Sequence, residues 1–552
     1  MKAASIPFST SKGPEDPGVR VDMSSLRPAW ALPTALMAIA NVSAIWYKLV
    51  SAQVPKPYLD EYFHVPQAQR YCGKDYTWDP KITTPPGLYF ASLLIKPIAG
   101  CDISALRAVN VGAICLICVL SYQIRWLLRT PLPPRRTRKG ASITPLKGNK
   151  TQSTLLDAHT ALNISLFPPL FFFSGLYYTD VLSTLVVLAS YYMYLIQRRT
   201  HNYLLASLTT VIVGVLALLF RQTNIFWVAV FPAGLAVVDT LMYYDEMLDA
   251  SVNEAGPRHY FAFLFYLPRN VLMKPIAVII AVFPYLILLG FFGGFVLWNG
   301  GVVLGDKSAH IATIHLPQML YLWPYIVFFS LPLTLPSLLQ PILPYLPRNL
   351  RSASKTNLTG PSSPTPTSAL AALLFSTFAF AAVHFNTIIH PYTLADNRHY
   401  VFYVFRLLFR HPAVKYFAVG VYYICALLTI RSLGAPPRPS PAPVSSEKTA
   451  PKRTQKLASA QDDSVQISFV VVWAATTALS VISTPLVEPR YFIVPWVMWR
   501  LHVPTQPGRA TTVRLALETA WLLAVDAGVG YMFLNRGFTW ASEPGSVQRF
   551  MW

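Results

Sequence analysis

Apolar runs of membrane-spanning length alternate with short polar segments from Trp30 to Leu534. An α-helix needs about 20 apolar residues to cross the hydrocarbon core. Read on that scale, the chain predicts spans near 30–50, 104–128, 155–178, 181–197, 203–220, 225–244, 275–298, 317–336, 368–389, 413–432, 466–484, 490–502 and 512–534, about 13 in all. The stretch Gly87–Ile98 is too short to cross and reads as an interfacial or re-entrant helix. The fold class is therefore an all-α polytopic membrane protein. Residues 29–534 form one membrane domain, residues 1–28 a cytosolic N-terminal tail and residues 535–552 a C-terminal tail.

Two basic segments set the orientation. Arg129 to Lys150 carries seven Lys or Arg and no acid, and Arg431 to Lys456 carries six against Glu447 alone. Both should be cytosolic by the positive-inside rule, and their Pro, Ser and Lys content predicts disorder over 129–153 and 431–465. Alternation then places Tyr58–Pro86, Asp180, Arg221–Asn224, Gly305–His315, His390–Tyr400 and Glu488–Arg490 together on the opposite side, with 51–103 as the first luminal loop. The sequons at Asn41, Asn163 and Asn357 fall in proposed spans or a cytosolic loop, so none should be used.

Composition supports this reading. Hydrophobic residues make up 53% and charged residues 12%, against the roughly 25% charge of soluble proteins. The formal charge of +21 sits mostly in short loops, so no nucleic-acid partner is implied, and membrane lipids are the surroundings expected. Phosphate-loop and dinucleotide glycine motifs are missing, which disfavours a nucleotide-sugar donor. His310 and His315 are spaced i to i+5, which does not put two imidazoles on one helical face, so neither metal nor cofactor is expected. Cys72 and Cys101 fall in the same luminal region, and their pairing is left open.

The densest chemistry lies in Pro57–Phe90, where Asp60, Glu61 and His64 follow directly on a span. Charged groups there need water, a partner or a substrate, although an acidic pair can equally cap a helix start. The segments DEYFHVPQAQ (from Asp60), WDPKITTPPGLY (from Trp78), RQTNIFW (from Arg221), NGGVVLGDKSAHIATIHLPQMLY (from Asn299), HPYTLADNRHYVFYVFR (from His390), LVEPRYFIVP (from Leu486) and QRFMW (from Gln548) span almost the whole chain. Together they resemble the endoplasmic-reticulum α-1,2-glucosyltransferases, GT-C membrane enzymes that add the third and last glucose to the lipid-linked oligosaccharide.

The resemblance implies a GT-C type helical bundle in the endoplasmic-reticulum membrane with a luminal active site. It implies glucose transfer, with inversion, from dolichyl-phosphate glucose to the diglucosylated high-mannose glycan on dolichyl diphosphate. Asp60 matches the first-loop acid that serves as base, with Glu61 as runner-up. Substrate-binding candidates are His64, Trp78, Lys81, Arg221, Lys307, Asp396, Asn397, Arg398, His399, Glu488 and Arg490. A cation at a helix end also snorkels to the interface without touching substrate, and a Glu488–Arg490 salt bridge explains that pair equally well. Another dolichyl-phosphate-sugar transferase of the same superfamily is the alternative. A secondary transporter is a further one, disfavoured because the polar clusters sit at span ends and not at the bilayer midplane.

Overall fold

The computed structural model describes residues 29–130, 150–200, 202–244, 249–307, 313–339, 366–435, 464–484 and 486–552. The proposed N-terminal tail and most of the two basic loops lie outside the described residues. Their described edges are ordered: α5 already starts at Lys150, and Leu433 and Ala435 are buried.

Among the described residues the chain is helical apart from one short hairpin. Helix α1 (Ala31–Gln53) leads into the first polar segment, which carries α2 (Glu61–Cys72) and α3 (Gly87–Ala99). There follow α4 (Ile103–Arg129), α5 (Lys150–Ser165), α6 (Pro168–Phe173), α7 (Thr179–Gln197), α8 (Tyr203–Leu218), α9 (Phe231–Tyr243), α10 (Pro257–Met273) and α11 (Pro275–Asn299). Next come α12 (Pro317–Phe329), α13 (Leu331–Leu339), α14 (Pro366–Phe385), α15 (Pro391–Ala395), α16 (Tyr400–Leu408), α17 (Pro412–Arg431), α18 (Ile467–Val481), α19 (Ile493–His502) and α20 (Arg509–Asn535). The last residues form β1 (Phe538–Thr539) paired antiparallel with β2 (Val547–Gln548).

Seven of the described helices are long and apolar enough to cross a membrane, or eight if α12 and α13, bent by 96° at their junction, count as one. Among the described residues fewer helices than the expected 13 or so pass that test, and prolines shape some of those that depart from it. The span at 155–178 stops at Ser165, where Pro168 and Pro169 cannot continue the backbone ladder, and restarts as α6. The span at 225–244 opens with a π-turn, Phe226–Val230, ahead of Pro232. Helix α10, rich in Phe and Tyr but carrying Arg258, His259 and Arg269, was not among the expected spans. Helix α3 has 13 residues, about 20 Å at 1.5 Å each, shorter than the ~30 Å hydrocarbon core.

The core lies where α1, α4, α5 and α7 pack together and α19 enters among them. Helix α19 has only ten residues, yet Trp496, Trp499 and their neighbours are fully buried. Its indoles are tied down: Trp496 donates to Ser330 Oγ at 3.0 Å and Trp499 to the Thr429 carbonyl at 3.1 Å, while Trp496 stacks on Phe167 at 3.8 Å. This rigid post carries the turn Pro489–Phe492 on its N-terminal end.

The first polar segment is docked at several points. Cys72 and Cys101 are disulfide-bonded, with Cα atoms 6.5 Å apart, which answers the question left open by their spacing. The loop after α11 lies along it: Asp306 N–H donates to the Pro80 carbonyl at 2.8 Å and Leu304 N–H to the Thr83 carbonyl at 3.2 Å. Gly305 sits between them at φ +61, and a Cβ there would come within 2.2 Å of the Pro80 oxygen. Gly305→Val should therefore lift this loop from the segment. Limited proteolysis near residue 305 should speed up and glycosyl transfer should fall several-fold; unchanged cleavage and activity would show that the docking is dispensable.

Candidate active site

Ends of distant helices meet at one face of the bundle, that of the first polar segment. Asp60 follows α1, Asp180 lies in the first turn of α7, Arg221 follows α8, and Glu488 and Arg490 lie between α18 and α19. They form one charge cluster. Arg490 Nη1 is 2.8 Å from Asp60 Oδ2 and 3.7 Å from Asp180 Oδ2, and its Nη2 is 2.8 Å from Glu488 Oε2. Arg221 Nη2 is 3.0 Å from Asp180 Oδ1. The cluster holds three carboxylates against two guanidiniums and so carries a surplus negative charge, suited to a neighbour that becomes positive.

The carboxylates differ sharply in access. The Asp60 side chain is 43% exposed, Glu488 19% and Asp180 1%, whereas Glu61 is sealed at 0%. Glu61 is gripped by Arg107 through Nε at 2.8 Å and Nη2 at 2.6 Å, and it accepts from the backbone N–H of Tyr58 at 3.0 Å and Tyr177 at 2.7 Å. With its oxygens saturated and no opening toward solvent, Glu61 stands as a clamp between the first polar segment, α4 and the turn before α7. Its neighbour in sequence does the opposite.

Backbone geometry aims Asp60 outward. Leu59 adopts a left-handed conformation at φ +50, costly for a residue with a Cβ. The Tyr178 hydroxyl spans that turn, donating to the Tyr58 carbonyl at 3.2 Å and accepting the Asp60 N–H at 3.1 Å. Enclosure by protein opposes ionisation of Asp60, but the Arg490 guanidinium outweighs it and holds the carboxyl below its ordinary value. His64, one turn on, is pushed down to about 4 by burial and is neutral, its Nδ1 bonded to the Tyr89 hydroxyl at 2.7 Å.

A second polar group stands beside the first. Arg398 is bonded to Asp396 through Nη2 at 2.7 Å, to Gln548 Oε1 through Nη1 at 3.0 Å, and lies 4.6 Å from the Trp540 ring centroid. Burial opposes ionisation of Asp396, and its bonds to Arg398 nevertheless bring its carboxyl below the ordinary value. His399 Nε2 is 3.6 Å from Asp396, and its Nδ1 is 3.0 Å from the Trp552 carbonyl oxygen; Asn397 accepts from Trp540 Nε1 at 3.0 Å.

The C-terminal residues stitch the two groups together. Met551 N–H donates to the Arg398 carbonyl at 2.9 Å, and the Arg549 N–H donates to the Tyr58 hydroxyl at 2.8 Å. Residues 535–552 are thus part of the site and not a free tail.

The remaining candidates stand further out. The Trp78 indole donates to the Ile82 carbonyl at 3.2 Å and meets Tyr89 edge-on at 6.0 Å, so it braces the first segment. Lys81 is exposed, and the exposed Lys307 ammonium caps the Asn299 carbonyl at the end of α11. Sequence reasoning assigned no role to Asp180, Tyr178, Arg107, Gln548 or Trp540. Asp180 and Arg107 carried a usable signal, a charge within a turn or two of a span boundary. Among the described residues no group of three His, Cys, Asp or Glu side chains is arranged to hold a metal ion.

The sequence model of the DIE2/ALG10 family matches residues 54–501, which takes in Asp60, Asp180, Arg221, Arg398 and Arg490. The chain belongs to that family. A relative from Emericella nidulans is 41% identical over 96% of this chain and 98% of its own length, and one from Homo sapiens is 32% identical over 94% and 98%. Both are named Dol-P-Glc:Glc(2)Man(9)GlcNAc(2)-PP-Dol alpha-1,2-glucosyltransferase. Among solved structures, the archaeal oligosaccharyltransferase AglB from Archaeoglobus fulgidus aligns with 90% of this chain and 54% of its own at 12% identity, with a TM-score of 0.35. That likeness is too distant to bear on the site. The polar cluster lies within the matched residues 54–501, and the C-terminal stitch lies beyond them.

Proposed function

We propose that this chain transfers glucose from dolichyl-phosphate glucose to Glc2Man9GlcNAc2 on dolichyl diphosphate, forming the terminal α-1,2 linkage, at the luminal face of the endoplasmic-reticulum membrane. The naming of relatives matched along their whole length supports the substrates. The luminal side is supported by the Cys72–Cys101 disulfide, a bond of oxidising compartments, and by the basic segments allotted to the other side.

The observation that carries the mechanism is the access of Asp60, the one carboxylate of the cluster that is substantially open. The acceptor hydroxyl oxygen attacks the anomeric carbon of the β-linked glucose while the bond to the phosphate oxygen breaks. Its proton passes to Asp60, and dolichyl phosphate leaves as a stable anion that needs no acid. The surplus negative charge of the cluster favours the positive charge that develops on the sugar ring. Attack from the face opposite the departing phosphate gives the α product.

Donor identity is the deciding experiment. Membranes containing the chain are incubated with a diglucosylated lipid-linked glycan and either dolichyl-phosphate glucose or dolichyl-phosphate mannose. A gain of one hexose from the glucose donor alone is expected. Transfer from the mannose donor would move the chain to another transferase of the same chemistry, and transfer from neither would remove the assignment.

A further inference from the structure

Arg490 faces three acids at once. Its Nη1 edge meets Asp60 at 2.8 Å and Asp180 at 3.7 Å, while Nε and Nη2 meet Glu488 Oε2 at 2.9 and 2.8 Å. Aromatic rings flank it on one side: the guanidinium carbon lies 5.6 Å from the Phe173 ring centroid and 5.7 Å from that of Tyr178, two rings that are themselves 4.9 Å apart. The side chain is only 13% exposed. A guanidinium whose Nε, Nη1 and Nη2 each meet a carboxylate and which is so little exposed has little left for a substrate phosphate.

Three carboxylates drawn around one point repel one another unless a cation stands between them, and in many transfer sites that cation is a divalent metal. We infer that Arg490 is the resident cation of this carboxylate cluster: it does the neutralising and orienting work of a metal ion, holding Asp60 toward the acceptor, and does not bind the donor phosphate. Arg490 suits that post because α19, buried all round, fixes the turn that carries it. Arg221 holds Asp180 from the other side and completes the neutralisation. Arg490 is on this view a positioning residue acting through Asp60, and the phosphate falls to groups outside the cluster.

The inference rests on Asp60 being the base, and the test separates the two. Full-length chain in membranes is assayed with dolichyl-phosphate glucose, with and without EDTA, as wild type, Arg490→Gly, Arg490→Lys and Asp60→Asn. Wild-type turnover should be unchanged by EDTA. Arg490→Gly should lose roughly 10²-fold or more in kcat, and guanidinium chloride at tens of millimolar should restore about tenfold of it while leaving wild type unaffected.

Arg490→Lys keeps the charge but not the fork, so kcat should fall while the KM for dolichyl-phosphate glucose stays the same. Loss of wild-type activity in EDTA, a raised donor KM with unchanged kcat in Arg490→Lys, or no rescue of a monodisperse Arg490→Gly would each overturn the inference. Should Arg490→Gly fail to fold, the EDTA arm and the Lys variant still decide. An active Asp60→Asn would instead remove the base itself, whatever Arg490 does.

Discussion

Asp60→Asn is expected to lower kcat by roughly 10²- to 10⁴-fold, the usual worth of a positioned general base, with the protein still folded and membrane-inserted. Asn keeps the size of the side chain, and its carbonyl oxygen can still accept the Arg490 hydrogen bond seen at 2.8 Å, so the basicity and the surplus negative charge of the cluster are removed while the contact is kept. Because no binding contact is lost, KM for donor and acceptor should change little. The pH profile adds a check of sign. Arg490 holds the Asp60 carboxyl below its ordinary value of about 4, so the base is ionised throughout the neutral and mildly acid range. Wild-type turnover should not show an Asp60 limb between pH 7 and 5. The stability that Asp60 draws from the pair is likewise present above its unfolded value and is lost only as pH falls through the depressed one. A titration of kcat near pH 6 that disappears in Asp60→Asn would contradict this account.

Glu61→Ala should act in the opposite way, on folding and not on chemistry. Glu61 and Arg107 are both essentially inaccessible, and removing one partner leaves an uncompensated buried charge, which costs about 3–5 kcal/mol. It also strips the acceptor from the backbone N–H groups of Tyr58 and Tyr177. Since those bonds hold the turn that aims Asp60, the variant should yield little monodisperse protein and melt at a markedly lower temperature, with Arg107→Ala close behind. A well-folded, inactive Glu61→Gln beside a fully active Asp60→Asn would reverse the two roles.

Much of the site was legible in the sequence, but unevenly. The alternation of apolar runs brought Asp60, Arg221, Asp396, Arg398, Glu488 and Arg490 to one face before any packing was considered, and the structure brings them together there. Span boundaries fared worse, since an apolar run does not reveal that the helix stops at Ser165 and restarts at Pro168 inside it. The C-terminal residues carried no periodic signal, and their contacts with Tyr58 and Arg398 are made to segments hundreds and about 150 residues away.

The chain by itself determined that this is a helical membrane protein and on which face its charges gather, because hydrophobicity and loop charge are properties of local segments. Only the tertiary structure decided what each charge does. Adjacent residues at a helix start point about 100° apart, so Asp60 and Glu61, equivalent in chemistry and neighbours in sequence, are turned one toward open space and the other into Arg107. Which way each faces depends on the packing of α4, α7 and the turn before α19, and no local pattern encodes that.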